Sequence, residues 1–256
     1  MLSSSVDLSQ VRRLEELAFA GWPALESRDV AGWRLRLSDD YTKRANSINA
    51  LGGNPQVDGR TLDGLEAAYE AAYRKRHPLP AWRLTPLAPP AISDLLAGRG
   101  YRPIERSLLQ VCPLEPGFAA APEVSIQPEP SATWLNAFAT YSPVRPDHRD
   151  TMRRMLAAIA APAGFAFVEE AGQPMAMAIG AVAGDHVGLF DVLVMPHARR
   201  RGLARKVTES LYAWASLHGA RFAYLQVVAT NEPAMLLYAA QGFRTVYDYQ
   251  YFVPPA

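Results

Sequence analysis

Residues Val187–Val194 (VGLFDVLV) are apolar and rich in β-branched side chains. Shortly after them, Leu203, Val207, Leu211, Trp214 and Leu217 recur at helical spacing up to Gly219. A buried strand that feeds a helix through one tight turn restricts the chain to an α/β class. The turn is Arg199-Arg200-Arg201-Gly202-Leu203-Ala204. A helix start of this kind presents free backbone N–H groups to an anion. Gly202 permits close backbone approach, and Ala204 adds no bulk. Arg199, Arg200, Arg201, Arg205 and Lys206 all crowd the positive end of the helix dipole, where acids would be favoured. Such an arrangement predicts a bound polyanion.

A second block lies downstream. Phe222–Val228 reads as a buried strand, followed by Asn231-Glu-Pro-Ala-Met-Leu-Leu-Tyr238 and then Gly242-Phe243. Asn231 suits an N-cap, Pro233 the first helical turn and Gly242 a helix stop.

Together, Arg199-x-x-Gly202-x-Ala204 and the later Asn231…Ala234…Tyr238…Gly242-Phe243 resemble the two signatures of the GCN5-related N-acetyltransferases. The resemblance implies that fold, an α/β class with a mixed sheet, and acetyl-coenzyme A as co-substrate. It places the pyrophosphate on Arg199, Arg200, Arg201, Gly202, Leu203 and Ala204, with Asn231, Ala234 and Tyr238 beside the cofactor. A backbone N–H at Leu193 or Val194 would polarise the thioester carbonyl. The implied reaction moves an acetyl group to an amine of a small molecule or a protein, by direct attack in a ternary complex.

That chemistry needs a neutral amine, a polarised carbonyl and a proton for the leaving thiolate. Tyr238 can supply the proton, or it is a buried aromatic at helical spacing from Ala234. Asp191 is the acidic residue of the 187–194 strand, and an unpaired carboxylate on a packed face is costly. It therefore faces the cleft or a polar partner, as base or amine anchor, or as a carboxylate bonded to backbone. A coenzyme A-binding module without turnover is the second reading of the whole chain.

Composition fits an ordinary enzyme. The 256 residues carry a net charge of +1, which argues against a nucleic-acid surface. Cys112 stands alone, so no intrachain disulfide is expected, and no His/Cys grouping has metal-ligand spacing. His186, His197 and His218 read as surface or helix-end residues. Residues 6–20 read as an amphipathic helix rather than a targeting segment, with Val11, Leu14 and Ala18 on one face and Arg12, Arg13, Glu15 and Glu16 elsewhere. No apolar run is long enough to span a bilayer, and the cytoplasm is the expected compartment. A homodimer is left open.

The Pro/Ala-rich stretch 113–123 reads as a linker between a first part, 1–112, and a catalytic part, 124–256. Trp82…Leu96…Gly100-Tyr101-Arg102 aligns with Tyr224…Tyr238…Gly242-Phe243-Arg244, each pair of positions 142 residues apart. A repeat this long suggests a duplicated half-fold, the alternative being convergence on a common strand–helix–strand unit. The first copy has no R-x-x-G-x-A turn; an amphipathic helix over 61–77 (Leu62, Leu65, Tyr69 and Tyr73 on one side) stands in its place. It would be a degenerate half of the same family that has lost cofactor binding.

Within it, residues 32–51 read as a β-hairpin turning at Ser38–Asp40, with Arg34 and Arg36 on a basic face and a polar second arm. Thr42-Lys-Arg-Ala-Asn-Ser47 resembles a stretch of some two-domain bacterial acetyltransferases. Arg44, Asn46 and Ser47 are expected to line a substrate cleft, or to hold the interface between the halves. Tyr247, Tyr249 and Tyr251 share one strand face and are expected to pack on the core.

Overall fold

The computed structural model describes residues 6–72, 80–115, 117–142, 144–159 and 162–255. The first half runs α1 (Leu8–Gly21), β1 (Glu26–Val30), β2 (Trp33–Leu37), β3 (Ser47–Ala50), α2 (Gly59–Ala72), β4 (Ala81–Leu84), α3 (Ile92–Gly98) and β5 (Arg102–Pro113). The second runs β6 (Ser125–Gln127), α4 (Ala132–Tyr141), α5 (Arg149–Ala157), β7 (Ala163–Glu170), β8 (Gln173–Ala183), β9 (His186–Val194), α6 (Leu203–Leu217), β10 (Phe222–Val228), α7 (Glu232–Ala240) and β11 (Arg244–Val253). Helix starts follow local chemistry: Asp7, Ser131 and Asn231 each cap the backbone of the helix that follows.

All these strands join one sheet in the order β1-β2-β3-β4-β11-β5-β10-β9-β8-β7-β6. The pairs β3–β4 and β9–β10 are parallel and the others antiparallel. The 142-residue offset carries α2 to α6, β3 to β9, β4 to β10, α3 to α7 and β5 to β11. The central strands are exchanged between the halves. β5 hydrogen-bonds to β10 from Phe222↔Pro113 to Val228↔Ser107, while β11 pairs with β4 as well as β5. The described residues between Pro113 and Ser125 carry no regular element, yet the sheet is common to both sides of that segment.

The core follows the sheet. Trp33 and Trp82 meet edge to face at 5.4 Å in the first half, and Trp134 stacks on Phe138 at 5.0 Å in the second. Helix α1 lies against β8 and β9 of the second half. Its approach depends on Gly188, where an added Cβ would fall 2.4 Å from the Tyr224 hydroxyl. That hydroxyl donates to the Leu17 carbonyl at 2.8 Å and pins the helix to the sheet. No helix of the described residues is long and apolar enough to cross a membrane.

Several local expectations are corrected. Residues Lys43–Ala45 form a 3₁₀ turn, and the second hairpin arm begins only at Ser47. Positive φ at Asp39, Asp40 and Thr42 bends the chain away from β2 before it returns. Arg36 is buried rather than on a basic surface; its guanidinium donates to the Trp22 and Arg44 carbonyls. His186 opens β9 and is buried, stacked on Phe222 at 5.0 Å. Helix α2 covers Leu62, Leu65 and Tyr69, whereas Tyr73 and the rest of the stretch to 77 lie outside the described residues. Tyr247, Tyr249 and Tyr251 pack in the core.

Asp185 ties α1, the β8–β9 turn and the approach to β10 together. Its carboxylate meets Arg13 at 2.5 Å, His186 at 2.7 Å and Arg221 at 3.2 Å. Burial pushes its carboxyl up, but hydrogen bonds from His186 and Arg221, with the charges of His186 and Arg13, outweigh it and hold the pKa at about 2. The folded state thus favours the carboxylate. The stabilisation is fully present above the unfolded value near 4 and is lost as pH falls toward 2. Asp185→Asn should cost about 1–2 kcal/mol at pH 7, after allowance for solvent screening. Urea melts at pH 7 and pH 2.5 should show the gap between variant and wild type shrinking in acid.

Candidate functional site

Beyond β9, the Met195 amide donates to the Met175 carbonyl at 3.0 Å and Pro196–Ala198 form a 3₁₀ turn. Arg200 (φ +64°) and Gly202 (φ +74°) then reverse the chain into α6. Gly202 occupies the N-cap without a side-chain cap, so the first-turn N–H groups keep no side-chain acceptor. A Cβ there would meet nothing within 4 Å, so the left-handed backbone, not crowding, requires glycine. The cations divide into two sets. Arg201 pairs with Glu170 at 2.8 Å, Arg205 with Glu209 at 2.7 Å, and Lys206 with Glu123. Arg199 and Arg200 are exposed and have no ion-pair partner among the described residues. Leu203 is buried beneath the turn and Ala204 is half-buried.

Strands β9 and β10 pair in parallel only from Phe222↔His186 to Leu225↔Leu189. Beyond that point the edge of β9 that faced β10 is released, and alternate backbone groups of 190–194 lose a ladder partner on that side. On the other edge, Phe190 opposes Ile179 and Leu193 opposes Met177. Asp191 and Val192 therefore share one place on β8, which is a β-bulge. It breaks the simple alternation read from the sequence and puts Asp191 at φ +47°. Leu193 and Val194 follow, both half-buried.

Asp191 stands at the mouth of this opening. Its Oδ2 is buried without a hydrogen-bond partner. Its Oδ1 lies 3.7 Å from Nη2 of Arg44, which comes from the first half. Burial raises the carboxyl pKa, and the Arg44 charge opposes that rise. The Arg44 guanidinium covers the Trp22 ring at 5.2 Å and reaches the Phe190 ring at 6.0 Å. Tyr41 is buried nearby, edge-on to His148 at 5.9 Å, and its phenol has no hydrogen-bond partner among the described residues. Trp22 stands beyond the helical pattern of residues 6–20, and Tyr41 falls in the polar arm of the 32–51 hairpin, so the sequence singles out neither.

The two neighbours of Arg44 serve the backbone. Asn46 accepts from the Ser38 amide at 2.7 Å and donates to the Tyr41 and Thr42 carbonyls at 2.9 Å, stapling the loop. Ser47 is fully buried beneath Asn49, whose amide donates to its Oγ at 3.1 Å.

On the far side of the opening, Asn231 caps α7 by accepting from the Ala234 amide at 3.3 Å. Two turns on, Tyr238 is buried with its ring 5.6 Å from Phe243, which in turn lies 6.2 Å from Tyr212 of α6. Tyr238 thus sits between the helices that follow the two diverging strands. Its phenol makes no hydrogen bond among the described residues, and burial pushes its pKa up to about 12. No group of three or more His, Cys, Asp or Glu among the described residues could hold a metal ion.

A family model described as "Probable histone acetyltransferase Rv0428c C-terminal" matches residues 8–252. The chain belongs to this family. It is therefore a member of the GCN5-related N-acetyltransferase superfamily. An uncharacterized N-acetyltransferase of Bacillus subtilis strain 168 is 24% identical over 249 residues, covering 95% of this chain and 98% of that one. A GCN5-related N-acetyltransferase of Kribbella flavida shares the fold at TM-score 0.66 and 18% identity, over 96% of this chain and 95% of that one. A tandem protein of the same superfamily from the clavulanic acid biosynthesis pathway has TM-score 0.60 and 12% identity, over 94% of this chain and 86% of that one. The divergence of β9 from β10 and the Gly202 turn both lie past the C-terminal limit of the β9–β10 pairing, so the opening and the uncapped helix start follow one another along the chain.

Proposed function

We propose that the protein transfers an acetyl group from acetyl-coenzyme A to a primary amine by direct attack within a ternary complex. One observation carries the reading. The parallel pair β9–β10 opens beside a bulge, and the strand that opens leads into an uncapped helix start with two unpaired arginines. An extended thioester with a diphosphate suits that combination of slot and anion site.

Arg199 and Arg200, with the first-turn amides after Gly202, hold the diphosphate, while Leu203, Ala204, Asn231 and Ala234 shape the walls. A backbone N–H of Leu193 or Val194 hydrogen-bonds to the acyl oxygen and strengthens that bond as charge develops there. Asp191 accepts a proton from the attacking amine. As the C–N bond forms and the C–S bond breaks, Tyr238 gives its phenolic proton to the sulfur. Solvent exchange returns both groups to their starting states. A pKa near 12 keeps Tyr238 protonated at neutral pH, as an acid must be.

The first half is a degenerate copy in this reading. Its parallel pair β3–β4 matches β9–β10, but β2 and β3 pair without a bulge, and Arg60 stands where the offset puts Gly202.

The test is calorimetric titration of the full chain with coenzyme A and acetyl-coenzyme A. Arg199→Ala with Arg200→Ala should weaken binding about 10–100-fold and flatten its dependence on salt. Arg205→Ala, whose cation already has Glu209, should change affinity less. Tyr238→Phe should bind normally but slow thiol release about 10²-fold. Absence of heat with the wild-type chain would overturn the proposal.

A further inference from the structure

The mouth of the opening pairs a cation and an anion that do not satisfy each other. Arg44 Nη2 and Asp191 Oδ1 are 3.7 Å apart, too far for a hydrogen bond. The other carboxylate oxygen is buried and has no donor, although a buried carboxylate ordinarily collects several. Its strand is bulged and its own backbone left-handed, an arrangement that costs about 1 kcal/mol or more. Arg44 is held from below by two aromatic rings and from behind by the Arg36–Arg44 carbonyl bond of 2.6 Å. Its guanidinium therefore keeps its position without a bidentate carboxylate partner. The Arg44 and Asp191 side chains remain 27% and 22% exposed, so a ligand can reach both.

A simple amine would gain from Asp191 and be repelled by Arg44. A purely anionic acceptor would meet the reverse. A molecule carrying both charges a short distance apart meets neither penalty. From standard bond lengths the nitrogen of an α-amino acid lies roughly 2.7 Å from its nearer carboxylate oxygen. Hydrogen bonds of about 2.8 Å from each end close a four-membered ring of charges whose fourth side is a gap of the observed order.

Resting on the acetyltransferase reading above, we infer that the acceptor is a free amino acid, its ammonium on Asp191 and its carboxylate on Arg44. The site is then shared between the halves. The bound ammonium first releases one proton to solvent; the neutral amine then attacks and passes its second proton to the carboxylate of the second half, while the first half supplies the cation that selects a carboxylated amine. A lysine side chain within a protein lacks a carboxylate near its amine and leaves Arg44 without a partner. The Tyr41 phenol, also unpartnered, is a further donor beside the same site.

The test uses the full chain, acetyl-coenzyme A and thiol detection. Acceptors are the twenty common L-amino acids, the carboxamide and decarboxylated amine of each one that reacts, and an acetyl-capped lysine amide. Amino acids should be acetylated, and amidation or decarboxylation should lower kcat/KM about 100-fold, mostly through KM. At a pH above the acid limb of either protein, the amino acid should fall about as far in Arg44→Gln and its ratio to the carboxamide should approach one; Arg44→Lys should restore part of the preference. The ratio of acid to amide is the reading, so general loss of stability in a variant cannot imitate the result. Equal use of amino acids and their amides, preference for the capped lysine, or Arg44→Gln slowing all acceptors alike would each overturn the inference and leave the acetyltransferase reading intact. So would failure of every amino acid to react or to bind the coenzyme A complex by calorimetry. Loss of coenzyme A binding itself would instead remove the underlying reading.

Discussion

Glu15→Ala should destabilise the protein by about 3–5 kcal/mol, the usual result of stranding one member of a buried ion pair. Glu15, on α1, is 2% exposed and Arg83, on β4, is 3% exposed. Two contacts join the carboxylate to the guanidinium, and the Tyr247 hydroxyl of β11 donates to the same carboxylate. Arg83 also lies over the Tyr249 ring at 3.8 Å, and Tyr249 donates to Gln226 of β10 at 2.6 Å. Removing the carboxylate leaves the guanidinium with only a long contact to Gln226 at 3.4 Å and the Tyr249 ring, and leaves the Tyr247 phenol without its acceptor, where water cannot replace it. Denaturant titration of the full chain should show the loss as a lower midpoint with an unchanged slope. The double variant Glu15→Leu with Arg83→Met should recover the part owed to the stranded charge, because an apolar pair of similar volume removes both ionic desolvation costs, while the Tyr247 hydroxyl stays without its acceptor. A double variant as unstable as Glu15→Ala would show that the helix, not the ion pair, is the sensitive part.

The consequence reaches the site. Trp22 follows α1 directly, and Gly21 at its end abuts Phe190. Both rings underlie Arg44. The exchanged strands and the buried pair therefore fix where the first half's cation stands relative to the second half's carboxylate.

Much of this was legible in local pattern. Period and capping residues place β9, α6, β10 and α7 within a residue or two, because each buries one face and ends on a residue with a conformational reason to stop. The 142-residue offset marks matching elements in both halves. What was not legible depends on partners distant in sequence. Nothing in Arg102–Pro113 says that it pairs with β10, since an exchanged strand has the same alternation as one that stays in place. Strand β1, Glu-Ser-Arg-Asp-Val, is an exposed edge strand whose polar residues carry no apolar alternation to mark it. Glu15 falls on the polar side of the α1 pattern, and only the arrival of Arg83 and Tyr247 makes its burial affordable. The bulge at Asp191 belongs to a pair of strands rather than to either sequence. Arg44 was legible as a charged residue in a polar stretch, but its approach to Asp191 required the fold.

Asp191→Asn should lower kcat by about 10²–10³-fold while coenzyme A binding stays within a few-fold of wild type. The amide keeps the shape of the side chain and can still hydrogen-bond to an amine, but it takes no proton. The pH dependence separates this role from mere positioning. Burial raises the Asp191 pKa, so the carboxylate is lost at a higher pH than an exposed aspartate would require. The acid limb of kcat/KM should accordingly lie above the ordinary carboxylate range, with activity falling as pH drops through it. Arg44 pulls the same pKa down. Arg44→Gln should therefore move that limb to still higher pH, measured with a carboxamide acceptor so that carboxylate recognition does not intrude. Asp191→Asn should abolish the limb and leave a low rate set by the free amine's own deprotonation. An unshifted limb in Arg44→Gln, or full activity in Asp191→Asn, would transfer the base's role to a water molecule and leave Asp191 as a structural carboxylate of the bulge.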